Sequence, residues 1–246
     1  MICRFIHILD MVGLTIIMAV FTACNKGSSQ QQSNTQRGKL TSEQVYKKCN
    51  PSVFTIVASM GGAYSQGSGF FISTSGVAVS NYHVFDGTIR GSEHVYLSNK
   101  DILPVSEILD YDADLDIIIF RVALEDKKIR ALKMTDRNLV IGQNVYAIGS
   151  PLNMTNTFSS GEISQFRGEN KSTVQINVPI DHGSSGGPLI NEYGEVIGIT
   201  SSKIENTSAN LNFAINIQLV KNMLPKKELK KATKKKYKIK KKYHKK

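Results

Sequence analysis

Cysteine is scarce in these 246 residues, with three copies at positions 3, 24 and 49. Three are too few for a disulfide framework, and no two stand in the C-x-x-C spacing of a zinc or redox site. The chain also lacks H-E-x-x-H, G-x-x-x-x-G-K-[ST] and an EF-hand loop, so the sequence predicts no metal and no organic cofactor. It has no Gly-X-Y period and no long heptad pattern, which excludes collagen and coiled coil. Its 41% hydrophobic and 21% charged residues exclude disorder throughout. No apolar run reaches the ~20 residues that a membrane-spanning helix needs. A globular body remains, of one domain of roughly 200 residues or two small ones.

Acidic residues are almost missing from the C-terminal end. Residues 221–246 hold 14 of the 31 basic residues and one acid, Glu228. Residues 1–220 carry 17 basic against 19 acidic groups, net −2, so the formal charge of +11 belongs to a tail and not to the folded body. Residues 225–246 are too repulsive to pack and read as a solvated, disordered extension. Two binding roles compete with that reading. One is contact with anionic lipid headgroups or surface polymers, and the other is nucleic acid, for which Tyr237 and Tyr243 offer rings that stack on bases.

The opposite end reads as a leader. Arg4 and the chain amine supply positive charge, residues 11–23 are an apolar run of 13, and Thr22-Ala23 puts a small residue before Cys24. An export signal over 1–23 is expected. Phe21-Thr22-Ala23-Cys24 resembles a bacterial lipoprotein box, which implies that Cys24 receives a diacylglyceryl group and becomes the mature N-terminus. An ordinary cleaved signal and an uncleaved anchor are the alternatives. Residues 25–37 are almost free of apolar side chains, and 24–40 reads as a flexible tether.

A short helix is predicted over 41–48 with Thr41 as N-cap. Strand patterns then follow at 52–57, 69–73, 76–80, 94–97 and 116–122. A second set lies at 144–148, 161–164, 173–176, 188–190, 195–200 and 212–215. No helices alternate with them, so antiparallel sheets or barrels are expected rather than a βαβ fold. The charged stretch 125–138 separates two β-subdomains, and a C-terminal helix runs over 217–224 until Pro225.

The segment Asp181-His182-Gly183-Ser184-Ser185-Gly186-Gly187-Pro188-Leu189 carries the most chemical information. Glycines flanking a serine let main-chain N–H groups turn toward one point, a nest able to hold an oxyanion. A serine needs a base to take its proton, usually a histidine oriented by a carboxylate. Of five histidines, His7 lies in the leader and His244 in the tail. His94 reads as an exposed strand residue, and His182 is three residues from Ser185 and fits a turn or pocket rim. His83 remains. Asp116, directly before an apolar strand, is the preferred carboxylate over Asp114, with Asp112 just upstream. The order His83, Asp116, Ser185 is that of the chymotrypsin arrangement, not of subtilisin or the α/β-hydrolases.

Gly67-Ser68-Gly69-Phe70, Ser80-Asn81-Tyr82-His83-Val84, Leu115-Asp116-Ile117, Gly183-Ser184-Ser185-Gly186-Gly187-Pro188-Leu189 and Asn212-Phe213-Ala214-Ile215 resemble a trypsin-like serine endopeptidase of the HtrA/Deg group. The likeness runs from about Ser52 to Ile215. It implies an all-β fold of two six-stranded antiparallel barrels, at about 50–130 and 137–216, within a protease domain spanning 41–224. It aligns Asp116 with the triad aspartate and implies catalysis by His83, Asp116 and Ser185. The backbone N–H groups of Gly183 and Ser185 would form the oxyanion hole. In this fold the residue six before the serine often floors the primary specificity pocket. Here that residue is Pro179, beside Ile180, with Phe213, Ala214 and Ile215 as an expected wall, implying a preference for small or medium aliphatic side chains. Asp181-His182 stands where the group commonly has Asn-Pro, and Ser184 where it has Asn or Asp. About 30 residues follow Ile215, against the ~90 of a PDZ module, so none is expected.

The leading expectation is an exported, membrane-anchored serine endopeptidase acting on polypeptides in envelope protein quality control or processing. An inactive protease-fold polypeptide-binding protein is the second reading. An anion- or nucleic-acid-binding protein acting through the lysine tail is the third.

Overall fold

The computed structural model describes residues 38–150, 156–181, 183–201 and 211–224. The expected leader, Cys24, the tether up to residue 37, His182 and the lysine-rich tail lie outside the described residues.

Helix α1 (Ser42–Cys49) starts where its cap predicts. The Thr41 hydroxyl accepts the Gln44 N–H at 3.3 Å, and the Gln44 side-chain oxygen accepts the Thr41 N–H at 3.0 Å. Such a reciprocal box satisfies two of the donors that a helix start leaves without partners. The helix buries Val45 and Cys49, and burial pushes the Cys49 thiol up to about 11.

Strands β1 (Val53–Ser59), β2 (Tyr64–Phe71), β3 (Val77–Ser80), β4 (His94–Leu97), β5 (Ile102–Asp112) and β6 (Ile117–Val122) close a barrel in the order β1-β2-β3-β6-β5-β4. Every pairing is antiparallel, and β1 against β4 makes the seam. Strands β8 (Asn144–Gly149), β9 (Thr157–Arg167), β10 (Thr173–Ile176), β13 (Asn212–Asn216), β12 (Glu195–Ser201) and β11 (Pro188–Asn191) make the second barrel, closed by β11 against β12. The two-residue strand β7 (Lys133–Met134) adds to β12 in parallel. Helix α2 (Ile217–Met223) follows β13, with the Asn216 side chain accepting the Gln218 N–H at 3.1 Å.

Strand alternation divides the apolar residues among three clusters. Phe54, Phe71, Ala78, Ile118 and Phe120 fill the first barrel. Val145, Ala147, Ile163, Val174 and Leu189 fill the second. The residues between them in sequence, among them Val53, Phe70, Val79, Ile117, Ile119, Tyr146, Ile148 and Ile190, turn outward and meet in a third cluster, joined by Val45 and Cys49 of α1 and Ile217 and Val220 of α2. In β6 the run Ile117-Ile118-Ile119-Phe120 is continuous because both faces are buried. The third cluster packs one barrel on the other and brings the ends of β3, β6 and β12 to one place.

Two strands depart from the sequence expectation. β5 occupies a stretch with no strand pattern in the sequence, and β7 lies inside the charged boundary segment 125–138, which is poor in strand signals. β5 carries Pro104, Glu107, Asp110 and Asp112, buries only Leu103 fully, and shifts register twice against β6. A half-exposed strand with bulges shows no clean two-residue period.

Candidate active site

β3 ends at Ser80, and the chain turns through a single 3₁₀ turn, Tyr82–Val84, that carries His83. Asp116 closes the β5–β6 turn immediately before β6. Its φ is +56°, a left-handed conformation that costs an L-residue about 1 kcal/mol and that aspartate tolerates better than most. Two neighbours offset that cost by binding its carbonyl. Asn81 donates its side-chain amide at 2.9 Å and Tyr82 its N–H at 3.2 Å. Asp112 shapes the same turn by accepting the N–H groups of Asp114 and Leu115 at 3.0 and 2.9 Å. Of the three upstream aspartates, Asp112 is therefore the turn former and Asp114 is exposed, while Asp116 is buried.

The buried carboxylate of Asp116 faces His83. Its Oδ2 lies 2.8 Å from His83 Nδ1, and its Oδ1 accepts the His83 backbone N–H at 2.9 Å. Ser201, the last residue of β12, donates its hydroxyl to the same Oδ2 at 3.3 Å. Each group around the carboxylate is a donor, so an ionised Asp116 requires Nδ1 of His83 to carry its proton. In the neutral imidazole Nε2 is then the acceptor, the tautomer that a general base needs.

Ser185 lies on the loop that enters β11 and is buried. Its carbonyl accepts the Ser68 N–H of β2 at 2.8 Å. Gly67 fixes how near this loop comes to the histidine turn. A Cβ there would meet Val84, the residue after His83, at 2.5 Å and the Ser185 carbonyl at 3.2 Å. The histidine turn and the serine loop thus flank one glycine from opposite barrels.

Within the loop, Gly183 has φ +92° and Gly186 +88°. The Ser184 N–H donates to the Asp181 carbonyl and the Gly187 N–H to the Ser184 carbonyl, both at 3.0 Å. The Gly186 N–H donates to the Thr200 carbonyl at 2.8 Å. The Thr200 hydroxyl lies 2.7 Å from the Ser184 carbonyl oxygen. Gly186 has no room for a side chain, because a Cβ would stand 2.2 Å from the Ser68 carbonyl and from the Ser80 hydroxyl. The loop is a tight double turn pressed against the first barrel.

The expected pocket residues spread over several surroundings. Pro179 is exposed, and Ile180 packs half-buried against the core of the second barrel. Ala214 points into that core, and Ile215 packs against the inter-barrel cluster. Consecutive strand residues face opposite sides, so Ala214 and Ile215 do not share one wall. Phe213 is buried. His94 is half-buried, and its Nδ1 lies 2.9 Å from the Ser92 carbonyl.

Sequence reasoning missed Ser201 and Asn81, which brace Asp116 across separations of 85 and 35 residues. Asn81 stands two residues before His83 in Ser80-Asn81-Tyr82-His83-Val84, and that nearness to the histidine is its one signal in the sequence. For Ser201 the sequence offered none beyond the end of a strand. Among the described residues, no group of three or more His, Cys, Asp or Glu side chains is placed to hold a metal ion.

A family model for the trypsin-like peptidase domain matches residues 67–199, which include the histidine turn, Asp116 and the serine loop. Protease Do-like 1, chloroplastic, of Arabidopsis thaliana is 30% identical over 167 residues, 63% of this chain and 37% of that protein. Serine protease HTRA2, mitochondrial, of Drosophila erecta is 34% identical over 166 residues, 64% of this chain and 38% of that protein. This chain thus spans well under half the length of these curated relatives. The crystal structure of the serine endoprotease from Yersinia pestis superposes with a TM-score of 0.64 at 24% identity, covering 75% of this chain and 65% of that one, and shows the same fold. With the matched segment covering more than half of the sequence, this chain belongs to the trypsin-like peptidase domain family and resembles its HtrA/Do-like serine proteases.

Proposed function

We infer that the chain is a serine endopeptidase that cleaves polypeptides through an acyl-enzyme. The observation that carries this reading is the 2.8 Å contact of His83 Nδ1 with a carboxylate buried at the barrel junction and surrounded by donors. Such a carboxylate holds the imidazole in one tautomer and stabilises the imidazolium formed during reaction. His83 Nε2 takes the Ser185 hydroxyl proton as the serine oxygen attacks the peptide carbonyl carbon. The N–H groups of Gly183 and Ser185 receive the charge that develops on the carbonyl oxygen. The proton then passes from Nε2 to the leaving amine as the C–N bond breaks. Water, deprotonated by His83, releases the acyl group and restores Ser185.

The sequence at position 179, a proline between Val178 and Ile180 with no acid at that point, favours cleavage after small or medium aliphatic residues. The leader and the Cys24 box support export and attachment by lipid in a bacterial envelope. One lipidated cysteine and a polybasic tail would supply the two signals that stable membrane binding takes. Quality control or processing of envelope proteins is the role that fits an endopeptidase in that place.

The test is labelling of the full chain, purified in detergent, by a fluorophosphonate probe, followed by casein digestion. Labelling and digestion are expected in the wild-type chain and lost in Ser185→Ala and His83→Ala. A folded wild-type chain that neither labels nor digests casein contradicts the reading and supports a binding role for the same fold.

A further inference from the structure

The geometry points to Ser68 as a positioning residue for the oxyanion loop, holding from the first barrel the two residues of the second whose N–H groups stabilise the transition state. This inference rests on the endopeptidase reading above. Ser68 lies in β2 and is fully buried, and every polar atom it has is engaged. Its N–H donates to the Ser185 carbonyl at 2.8 Å. Its carbonyl accepts the Ser80 hydroxyl at 2.7 Å, on the strand that leads into the histidine turn. Its hydroxyl lies 2.6 Å from the Gly183 carbonyl oxygen and 2.9 Å from the Ser150 backbone nitrogen.

The direction of the last two bonds follows from their chemistry. A backbone N–H only donates, so the Ser68 oxygen accepts from Ser150, and its single proton goes to the Gly183 carbonyl. The chain Ser150 N–H, Ser68 O–H, Gly183 C=O is polarised in one sense, and each bond strengthens the next. Both residues assigned to the oxyanion hole, Gly183 and Ser185, therefore have their carbonyls held by Ser68, one through its side chain and one through its backbone. The Gly183 carbonyl shares its peptide plane with the Ser184 N–H, and the Ser185 carbonyl with the Gly186 N–H, so Ser68 anchors each oxyanion residue from its C-terminal side, next to the plane that carries its own N–H. Gly183 needs this most, because as a glycine at φ +92° it has no side chain to restrict it.

The close approach is built in on both sides. A Cβ on Gly186 would come within 2.2 Å of the Ser68 carbonyl, and one on Gly149, beside Ser150, within 2.8 Å of Ser184 Cα. Glycine at these two positions lets β2, the end of β8 and the serine loop meet around one hydroxyl. Ser150 is itself buried, so solvent is poorly placed to replace that hydroxyl.

Ser68→Ala removes both side-chain bonds and keeps the backbone bond to Ser185. Loss of a direct oxyanion donor lowers kcat about 10²–10³-fold, and a residue that positions a donor should cost a part of that. With a fluorogenic peptide, Ser68→Ala is expected to lower kcat roughly 10–100-fold per titrated active site with KM changed less than threefold. Affinity for a peptide boronate, which forms a tetrahedral adduct on the serine, should fall in parallel with kcat/KM. Ser68→Cys keeps a weaker donor at the same position and should recover part of the loss. It also serves as the test if the alanine variant does not fold. A general loss of stability would lower the number of titratable sites and leave kcat per site unchanged, and that result overturns the assignment. Wild-type turnover with Ser68→Ala and Ser68→Cys within twofold of it overturns the role of Ser68 alone. A wild-type chain without turnover or boronate binding overturns both this role and the endopeptidase reading.

Discussion

Replacing Asp116 by Asn changes one atom and should remove nearly all turnover, for a reason that lies in the direction of the hydrogen bonds. The carboxylate accepts the His83 N–H on Oδ1 at 2.9 Å, and Oδ2 faces His83 Nδ1 at 2.8 Å and the Ser201 hydroxyl at 3.3 Å. An asparagine has one oxygen to offer. If that oxygen keeps the backbone N–H, the amide NH₂ faces Nδ1, which must then act as acceptor. The imidazole proton moves to Nε2, and His83 can no longer take a proton from Ser185. If the amide turns over, its NH₂ opposes the backbone N–H in a buried site, which costs about 1–3 kcal/mol for the lost bond. The first arrangement is the cheaper one. A triad held in the wrong tautomer loses about 10⁴ in kcat, equivalent to about 5.4 kcal/mol of transition-state stabilisation. Asp116→Asn should therefore turn over a peptide substrate about 10⁴-fold more slowly than wild type with KM little changed. Asp114→Asn, at an exposed site, should stay within twofold. A rate for Asp116→Asn within tenfold of wild type would refute the reasoning.

Other predictions concern the frame. Gly186→Ala forces a Cβ to 2.2 Å from backbone at a φ of +88°. It combines about 1 kcal/mol of left-handed strain with about 1–3 kcal/mol of overpacking, and urea unfolding should show a loss of about 2–4 kcal/mol. A change below about 0.5 kcal/mol, the level of an ordinary surface substitution, would contradict the packing of the loop on the first barrel. Burial raises the Glu195 carboxyl, but donation from Lys133, Thr135 and Asn191 outweighs it and leaves the group below its ordinary value. A lowered folded pKa stabilises the protein above the unfolded value of about 4.3, and the gain is lost as pH falls through the folded value. The stability gap between wild type and Glu195→Gln should thus be full at pH 6 and shrink toward pH 3; a gap that widens on acidification would be the wrong sign. Cys49, with its thiol near 11, should resist iodoacetamide at pH 8 in the folded chain and react once unfolded, as peptide mapping would read. Rapid native labelling at that residue would contradict its burial.

The sequence showed the barrels wherever strands were buried on one or both faces. β3, β6 and β12 carry unbroken β-branched or small apolar runs because the inter-barrel cluster covers their outer sides. β5 stayed hidden because its exposed face, its proline and its two bulges erase the alternation. In the candidate site, the residues that the sequence shows are those on short motifs, His83 beside its strand end and Ser185 among glycines. Asp116 was distinguished from Asp114 by its position at the head of an apolar run, and the structure gives the matching burial. What the sequence did not carry are the groups that act across long separations. Ser201 reaches Asp116 over 85 residues and Ser68 reaches Gly183 over 115, and each is an ordinary serine in its own strand. The pocket was legible least, since a wall read from Phe213-Ala214-Ile215 ignores the alternation that sends Ala214 and Ile215 to different clusters.

The endopeptidase reading stands on Ser185 as a nucleophile activated by His83 and Asp116. Its most direct test is intact-mass and peptide-level mass spectrometry of the wild-type chain after reaction with a fluorophosphonate. One adduct per chain is expected, on Ser185, absent from His83→Ala and formed orders of magnitude more slowly in Asp116→Asn. An adduct on another residue, or a folded chain that remains unmodified, would contradict it.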